Sequence, residues 1–409
     1  MKRVMVTGMA AWSSLGRTLA EYAKGLREGA SGCRPVTRLD VSSPAYRTRN
    51  AAQLANEEYL EVRVDETRIA DLSISVAVEA LCDAALSANS IDPQRLGVAL
   101  GTSHGGNIAF MKLVRGRLGL ASGRIDHRLL LSNSSTIVGQ IAHQLGACGP
   151  TATISTACAS GTNSIGRAAD WIRTGRADVM LAGGADLFTE LSFSGFNILG
   201  AMTRDVCRPL DRDRDGMMLG DAAAMLVLES EEHARKRGAR IWAIIAGHAI
   251  ANDAFHATGP EPEANGIARV MKDALANANL TINDIDYINL HGTGTPANDS
   301  IELRGIERVF AARAKQILMS STKSQLGHTL GAAGSVEIVA TILGMSGGWA
   351  PPSINLRAPI DGFEDWSFVR DRAKPANIRA AISNSFGFAG HLACIVIQNA
   401  HNTINGAAR

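Results

Sequence analysis

A strand-like run that stops at small residues and feeds a helix occurs twice in this chain, in matching surroundings. That repetition narrows the possible folds more than any other feature. Residues 151–156 lead through Cys158 into a helical pattern in which Ile165, Ala168, Ala169 and Ile172 recur at helical spacing. Residues 317–322 lead through a glycine-rich turn into a second helix around 334–343. The neighbours match as well. The strand ending near Gly101 has its counterpart in residues 285–290, which end at His291. The strands at 179–184 and 225–229 have theirs at 380–384 and 392–397. Strands alternating with helices predict a parallel-rich α/β architecture. The matching order predicts two duplicated halves, 1–240 and 241–409. Ligands of such sheets bind beyond the carboxyl ends of the strands, and Cys158, His291 and the turn after Thr322 all fall there.

Composition excludes several function classes. A net charge of +2 over 409 residues is too small to attract nucleic acid or an anionic membrane, so an acidic partner would need a local basic patch. No apolar run of about eighteen residues suggests a membrane span, and the N-terminus lacks the apolar core of a signal peptide. The six cysteines are scattered without a C-x-x-C pair, which predicts reduced thiols and a cytoplasmic protein rather than a disulfide scaffold or a metal site. After the first strand, Gly8 to Gly16 does not fit the dinucleotide fingerprint, so a nicotinamide cofactor is not expected.

Cys158 is the leading candidate for chemistry. A thiol at the start of a helix meets unpaired amides and the positive end of the macrodipole, which favour the reactive thiolate. Its small neighbours Ala157, Ala159, Ser160 and Gly161 leave room for a substrate. Three further stretches have the same character. His291-Gly-Thr-Gly-Thr-Pro puts an imidazole at a strand end with Thr293, Thr295, Asp299 and Glu302 close behind. Lys323-Ser-Gln-Leu-Gly-His328 puts an amine and a second imidazole before a helix, and Asn384-Ser-Phe-Gly-Phe388 is a glycine-broken turn with free amides. Taken singly, each has an ordinary structural explanation: a hydrogen-bonded histidine, a solvated lysine, a core phenylalanine.

Together these stretches resemble the β-ketoacyl–acyl carrier protein synthases, condensing enzymes of the thiolase fold. The resemblance rests on Thr156-Ala-Cys158-Ala-Ser-Gly, the His291, Lys323-to-His328 and Asn384-to-Phe388 motifs, Gly331-Ala-Ala-Gly334, and Arg208-Pro-Leu-Asp through Asp221. It runs from residue 2 to about 398. It implies a duplicated five-layered αβαβα architecture and a decarboxylative Claisen condensation of a Cys158-bound acyl thioester with a malonyl–carrier protein. The resemblance implies hydrogen-bond donation to the enolate by His291 and His328, and an oxyanion hole from the amides of Cys158 and Phe388. It implies a charge-setting Lys323 paired with Glu302 or Glu337, pantetheine-holding hydroxyls on Thr293 and Thr295, and a gating Phe388. The phosphopantetheine arm arrives on the carrier protein, so no separate cofactor or metal is implied. Basic groups near the mouth would dock that acidic partner, with Arg124 and Arg204 in matching positions and Arg63 and Arg68 as helpers.

Two histidines, rather than a histidine and an asparagine, match the elongating branch. Three departures from the fatty-acid pattern point instead to a type II polyketide or polyene ketosynthase. They are Ala389-Gly390-His391-Leu392 after the gate, Ala222-Ala223 after Asp221, and the smaller, polar groups near Leu131-Ser132-Asn133. Such an enzyme would act as a homodimer or beside a homologous chain-length factor. The competing readings are a non-catalytic chain-length-factor-like subunit, which the retained Cys158, His291, His328 and Lys323 oppose, and a housekeeping fatty-acid elongation enzyme.

Overall fold

The central strands are largely apolar with no polar face, so their sequence alone cannot say which face is inside. Both are. The computed structural model describes residues 2–54, 68–105, 114–119 and 133–400. Its ten principal strands are β1 Val4–Ser13, β2 Leu96–Gly101, β3 Thr151–Ile154, β4 Val179–Asp186, β5 Ala222–Ser230, β6 Ala243–Asn252, β7 Tyr287–Asn289, β8 Leu318–Ser320, β9 Ala380–Phe386 and β10 His391–Asn399. The principal helices are α1 Leu19–Glu28, α2 Arg68–Asp83, α3 Ser134–Leu145, α4 Ser160–Arg173, α5 Glu190–Ile198, α6 Asn265–Ala278, α7 Pro296–Phe310 and α8 Ala333–Gly347.

The strands are hydrogen-bonded in the order β8-β7-β9-β10-β6-β1-β5-β4-β2-β3. Numbered within its own half, each set of five follows the same order, 3-2-4-5-1. The directions repeat too. In each half strands 2, 3 and 4 pair in parallel, whereas 4–5 and 5–1 pair antiparallel. The sheet is therefore mixed rather than parallel-rich. Apolar runs buried on both faces look alike whichever way they point, so the sequence pattern did not carry the direction. The halves join where Met5 and Val6 of β1 meet Ile244 and Ala243 of β6.

Alternate residues along each strand feed different cores. In β5, Ala223, Met225 and Val227 pack toward α2 and α3, whereas Ala222, Ala224, Leu226 and Leu228 face α4 and α8. In β10, Leu392, Cys394 and Val396 join α6 and α7, and Ile395 and Ile397 turn inward. The layers thus run helix, sheet, helix, sheet, helix, with α4 and α8 packed on each other in the middle. A leucine or isoleucine buried in these layers contributes about 1.5–3 kcal/mol.

α8 is apolar around almost its whole circumference, as a central helix must be. The stretch Leu330–Gly347 has the length and composition to cross a membrane, contrary to the expectation that no such run exists, but 89% of it is buried inside the protein. At the periphery, Thr18 and Glu21 form a capping box on α1, and left-handed Gly29 closes it.

Candidate active site

Three strand ends deliver the chemistry to one place. Cys158 follows β3, His291 follows β7, and Lys323 and His328 follow β8. Cys158, His291 and His328 line a single cavity of about 310 Å³, together with Phe386 and Phe388.

Cys158 sits on a strained turn. Ala157 is left-handed (φ 49°), although it is not glycine. Its carbonyl is held by Ser103 Oγ at 2.9 Å and by Ser160 Oγ at 2.6 Å. The same Ser160 hydroxyl accepts from the Thr156 amide. Opposite this turn, a Cβ on Gly387 would lie 3.0 Å from Thr156 O and 3.1 Å from Cys158 N, so only glycine lets the Phe388 backbone come this close. Among the described residues neither the Cys158 nor the Phe388 amide donates to a backbone carbonyl. The Cys158 amide is turned toward its own sulfur.

Cys158 is partly open to the cavity, yet burial around the sulfur pushes the thiol up to about 12. The positive charge of Lys323 opposes that rise, and Asp186 and Glu337 add to it. The resting group is thus a thiol, not the thiolate expected from the helix N-terminus. Desolvation outweighs the dipole here.

The imidazoles of His291 and His328 stand edge to face, 5.5 Å between centroids. Nδ1 of His328 accepts from the Leu330 amide at 3.2 Å, which assigns its proton to Nε2. Nδ1 of His291 is buried without a partner among the described residues. Burial lowers both rings well below the ordinary imidazole value, and the Lys323 charge lowers them further. Both rings are therefore neutral. Because protonation would add charge beside Lys323, kcat is expected to show no acid limb near pH ~6.5. It falls only at lower pH. Stability is expected to decline once pH drops below that value, where the unfolded rings bind protons that the folded rings refuse. A pH–kcat series paired with denaturant melts checks both.

Lys323 pairs with Glu337, not Glu302. Nζ lies 2.5 Å from Glu337 Oε1, with both side chains at most 2% exposed. Asn289 Nδ2 donates to the other Glu337 oxygen at 3.3 Å. Glu302 instead accepts the amides of His291 and Gly292, both at 2.8 Å, and Asn384 Nδ2 at 3.2 Å. Burial pushes its carboxyl up to about 7 against the pull of those amides. It fixes the backbone that carries His291.

Thr293 and Thr295 line the cavity, their hydroxyls 2.8 Å apart. Thr295 also caps α7, accepting from the Asn298 amide. The Phe388 ring leans on Phe196 at 5.7 Å, and both face the cavity. Arg204 is exposed on the loop between Ala201 and Met217, two further lining residues. Arg124, Arg63 and residues 131–132 lie outside the described residues, Arg68 opens α2, and Asn133 caps α3. Cys394 is on β10 opposite Asn384, inside the core. In the loop from Arg204 to Asp215, Arg208 meets Asp205, and Arg212 reaches out to Asp361. Arg214 instead ties the loop to the carbonyls of Thr295 and Pro296. Sequence reading passed over Asn289, Ser103 and Phe196. Only Ser103 carried a signal, as a small polar residue just past a strand end like the one preceding His291.

Two family models match the chain. Beta-ketoacyl synthase, N-terminal domain, matches residues 1–234, and Beta-ketoacyl synthase, C-terminal domain, matches residues 242–357. The chain belongs to the β-ketoacyl synthase family. A 3-oxoacyl-[acyl-carrier-protein] synthase 2 of Coxiella burnetii is 37% identical, over 97% of this chain and 98% of that one. Its counterpart in Synechocystis is 36% identical, over 95% and 96%. Among solved structures, the ishigamide ketosynthase/chain length factor superposes with TM-score 0.90 at 35% identity, covering 97% of this chain and 99% of that one. A type II polyketide ketosynthase in complex with its acyl-carrier protein does so with TM-score 0.90 at 30% identity, covering the same shares. This β-ketoacyl synthase has the thiolase-like fold of those ketosynthases and is an acyltransferase, condensing malonyl–acyl carrier protein in fatty-acid or type II polyketide biosynthesis.

Proposed function

We propose that Cys158 takes the acyl chain and that His291 and His328 drive its extension. The observation that carries this is the convergence of one thiol, two neutral imidazoles and two unpaired amides on one cavity. In the first step the Cys158 sulfur attacks an acyl thioester on the carrier protein. The new C–S bond forms, the carrier's thiol leaves, and the Cys158 proton goes with it, so the high thiol pKa is met only while attack is under way. The amides of Cys158 and Phe388 receive the oxyanion. Malonyl–carrier protein then loses CO₂, and the electrons of the broken bond form an enolate. His328 Nε2–H and the His291 ring donate to its oxygen. The enolate carbon attacks the acyl-Cys158 carbonyl, and collapse returns the sulfur and leaves a β-ketoacyl chain on the carrier.

We further assign Thr293 and Thr295 to the pantetheine arm, Phe388 to gating against Phe196, and Arg204 and Arg124 to carrier docking. The chain is read as two halves, 1–240 and 241–409, acting in the cytoplasm. Among the described residues β3 forms one edge of the sheet, with half-exposed residues, which favours assembly with a second chain. That chain is a copy of this one or a homologous chain-length factor. The departures at Ala389 to Leu392 and the polyketide neighbours favour polyketide or polyene synthesis.

Intact mass after incubation with acyl–carrier proteins tests the reading, with Cys158→Ala beside it. An adduct absent from the variant and discharged by malonyl–carrier protein supports it. An adduct that forms only after a co-expressed homologue is added assigns the heterodimer. No adduct in either case overturns the catalytic role.

A further inference from the structure

The last residue of β4, Asp186, is fully buried, and among the described residues no cation pairs with it. A carboxylate in that position is costly unless donors surround it. Four do. Thr102 Oγ1 at 2.8 Å and the His104 amide at 3.1 Å donate to Oδ1. The Ser103 amide at 2.7 Å and the Gly331 amide at 2.6 Å donate to Oδ2. These donors come from the turn after β2 and from the turn before α8, one in each half of the chain.

Both turns stand directly behind catalytic side chains. Ser103 uses its hydroxyl to hold the Ala157 carbonyl, one residue before Cys158. Leu330, next to Gly331, gives its amide to His328 Nδ1. Ala157 and Leu330 are both left-handed without being glycine, at φ 49° and 56°. Strain of that kind, on the order of 1–2 kcal/mol each, persists only where the surroundings enforce it. The fit leaves no slack, since a Cβ on Gly331 would lie 2.5 Å from Asp186 Oδ2 and 2.5 Å from Ser103 N.

We propose that Asp186 is a positioning residue for the condensation, its carboxylate locking the turn behind Cys158 to the turn behind His328 so that sulfur and imidazole keep a fixed separation. The role rests on the catalytic assignment above. It touches no substrate, and its effect is confined to the step that needs both groups at once. Asp186 is also one of the charges acting on the sulfur, along with Lys323 and Glu337, while the two neutral imidazoles line the same cavity.

Asp186→Asn keeps the size but turns an NH₂ toward two donors, whichever way the amide lies. Condensation kcat is expected to fall roughly ten- to hundredfold, the scale of a misplacement of about 1 Å, while KM for malonyl–carrier protein changes little. The pH midpoint of Cys158 alkylation by iodoacetamide is expected to move down, because one negative neighbour is gone. A slower enzyme with a more readily ionised thiol is the signature. A merely structural Asp186 would lower the melting temperature and leave the condensation kcat of the folded enzyme alone. Should Asp186→Asn not fold, Ser103→Ala decides. It cuts only the link to Ala157 and is expected to lower kcat roughly three- to tenfold, the worth of one hydrogen bond. Wild-type condensation with both variants within about twofold of it would overturn the positioning role and leave the catalytic reading intact. A wild type that neither acylates nor condenses would sink the catalytic reading itself, an outcome distinct from variants that condense like the wild type.

Discussion

With Cys158 replaced by alanine, the protein is expected to fold normally and to lose condensation by roughly 10⁴-fold or more, the scale on which removal of a nucleophile acts. The sulfur contributes little to packing. It stands partly open to the cavity between small neighbours, and the turn beneath it is held by Ser103 and Ser160, not by the thiol. The variant should therefore melt close to the wild type while forming no acyl adduct. The unpaired amides and both imidazoles remain, so it should still bind malonyl–carrier protein. Loss of both binding and thermal stability would mean that Cys158 is a core residue after all.

The second large effect lies at Lys323. Truncation to alanine leaves Glu337 buried with only Asn289 for a partner. Removing one member of such a pair costs about 3–5 kcal/mol. The same change withdraws the positive charge that opposes the rise of the Cys158 thiol and helps keep both imidazoles neutral. Stability and kcat should fall together in Lys323→Ala. They should separate in the double variant Lys323→Met, Glu337→Leu. Apolar side chains of similar size replace a buried pair at little net cost, so denaturant melts should recover most of the loss while turnover does not return. Recovery of both would make the pair purely structural.

The groups that react were legible in the sequence because each follows a strand end and sits in a short motif that small residues hold open. Cys158, His291, Lys323 and His328 were singled out that way, and the structure brings Cys158, His291 and His328 to one cavity while Lys323 is buried against Glu337. What links them was less legible. Glu302 and Glu337 lie 21 and 14 residues from Lys323, and only the packing of α7 and α8 decides that the second is the partner. The sign of the Cys158 shift depends on desolvation, which no local pattern encodes. Asp186 closes the run Ala182-Gly-Gly-Ala-Asp186 and reads there as an ordinary strand end. Its four donors come from segments 80 or more residues away. The duplication showed in the order of elements, but strand direction did not, because strands buried on both faces have no polar side to orient them.

The repeated 3-2-4-5-1 order has a consequence for how the molecule can be made. Strand 2 of the first half runs out toward Ser103 and strand 3 toward Cys158, whereas the same strands of the second half run out toward His291 and Lys323. Neither copy holds a working set. The link between them passes through Gly238, a left-handed residue in open space. A gene cut there is expected to yield two polypeptides that are insoluble when made separately, since each exposes the inner face that α4 and α8 cover in each other. Made in one cell they should find one another and restore turnover. Continuity of the peptide chain is then a convenience of translation, and what heredity has to preserve is the mutual fit of two ancestral twins.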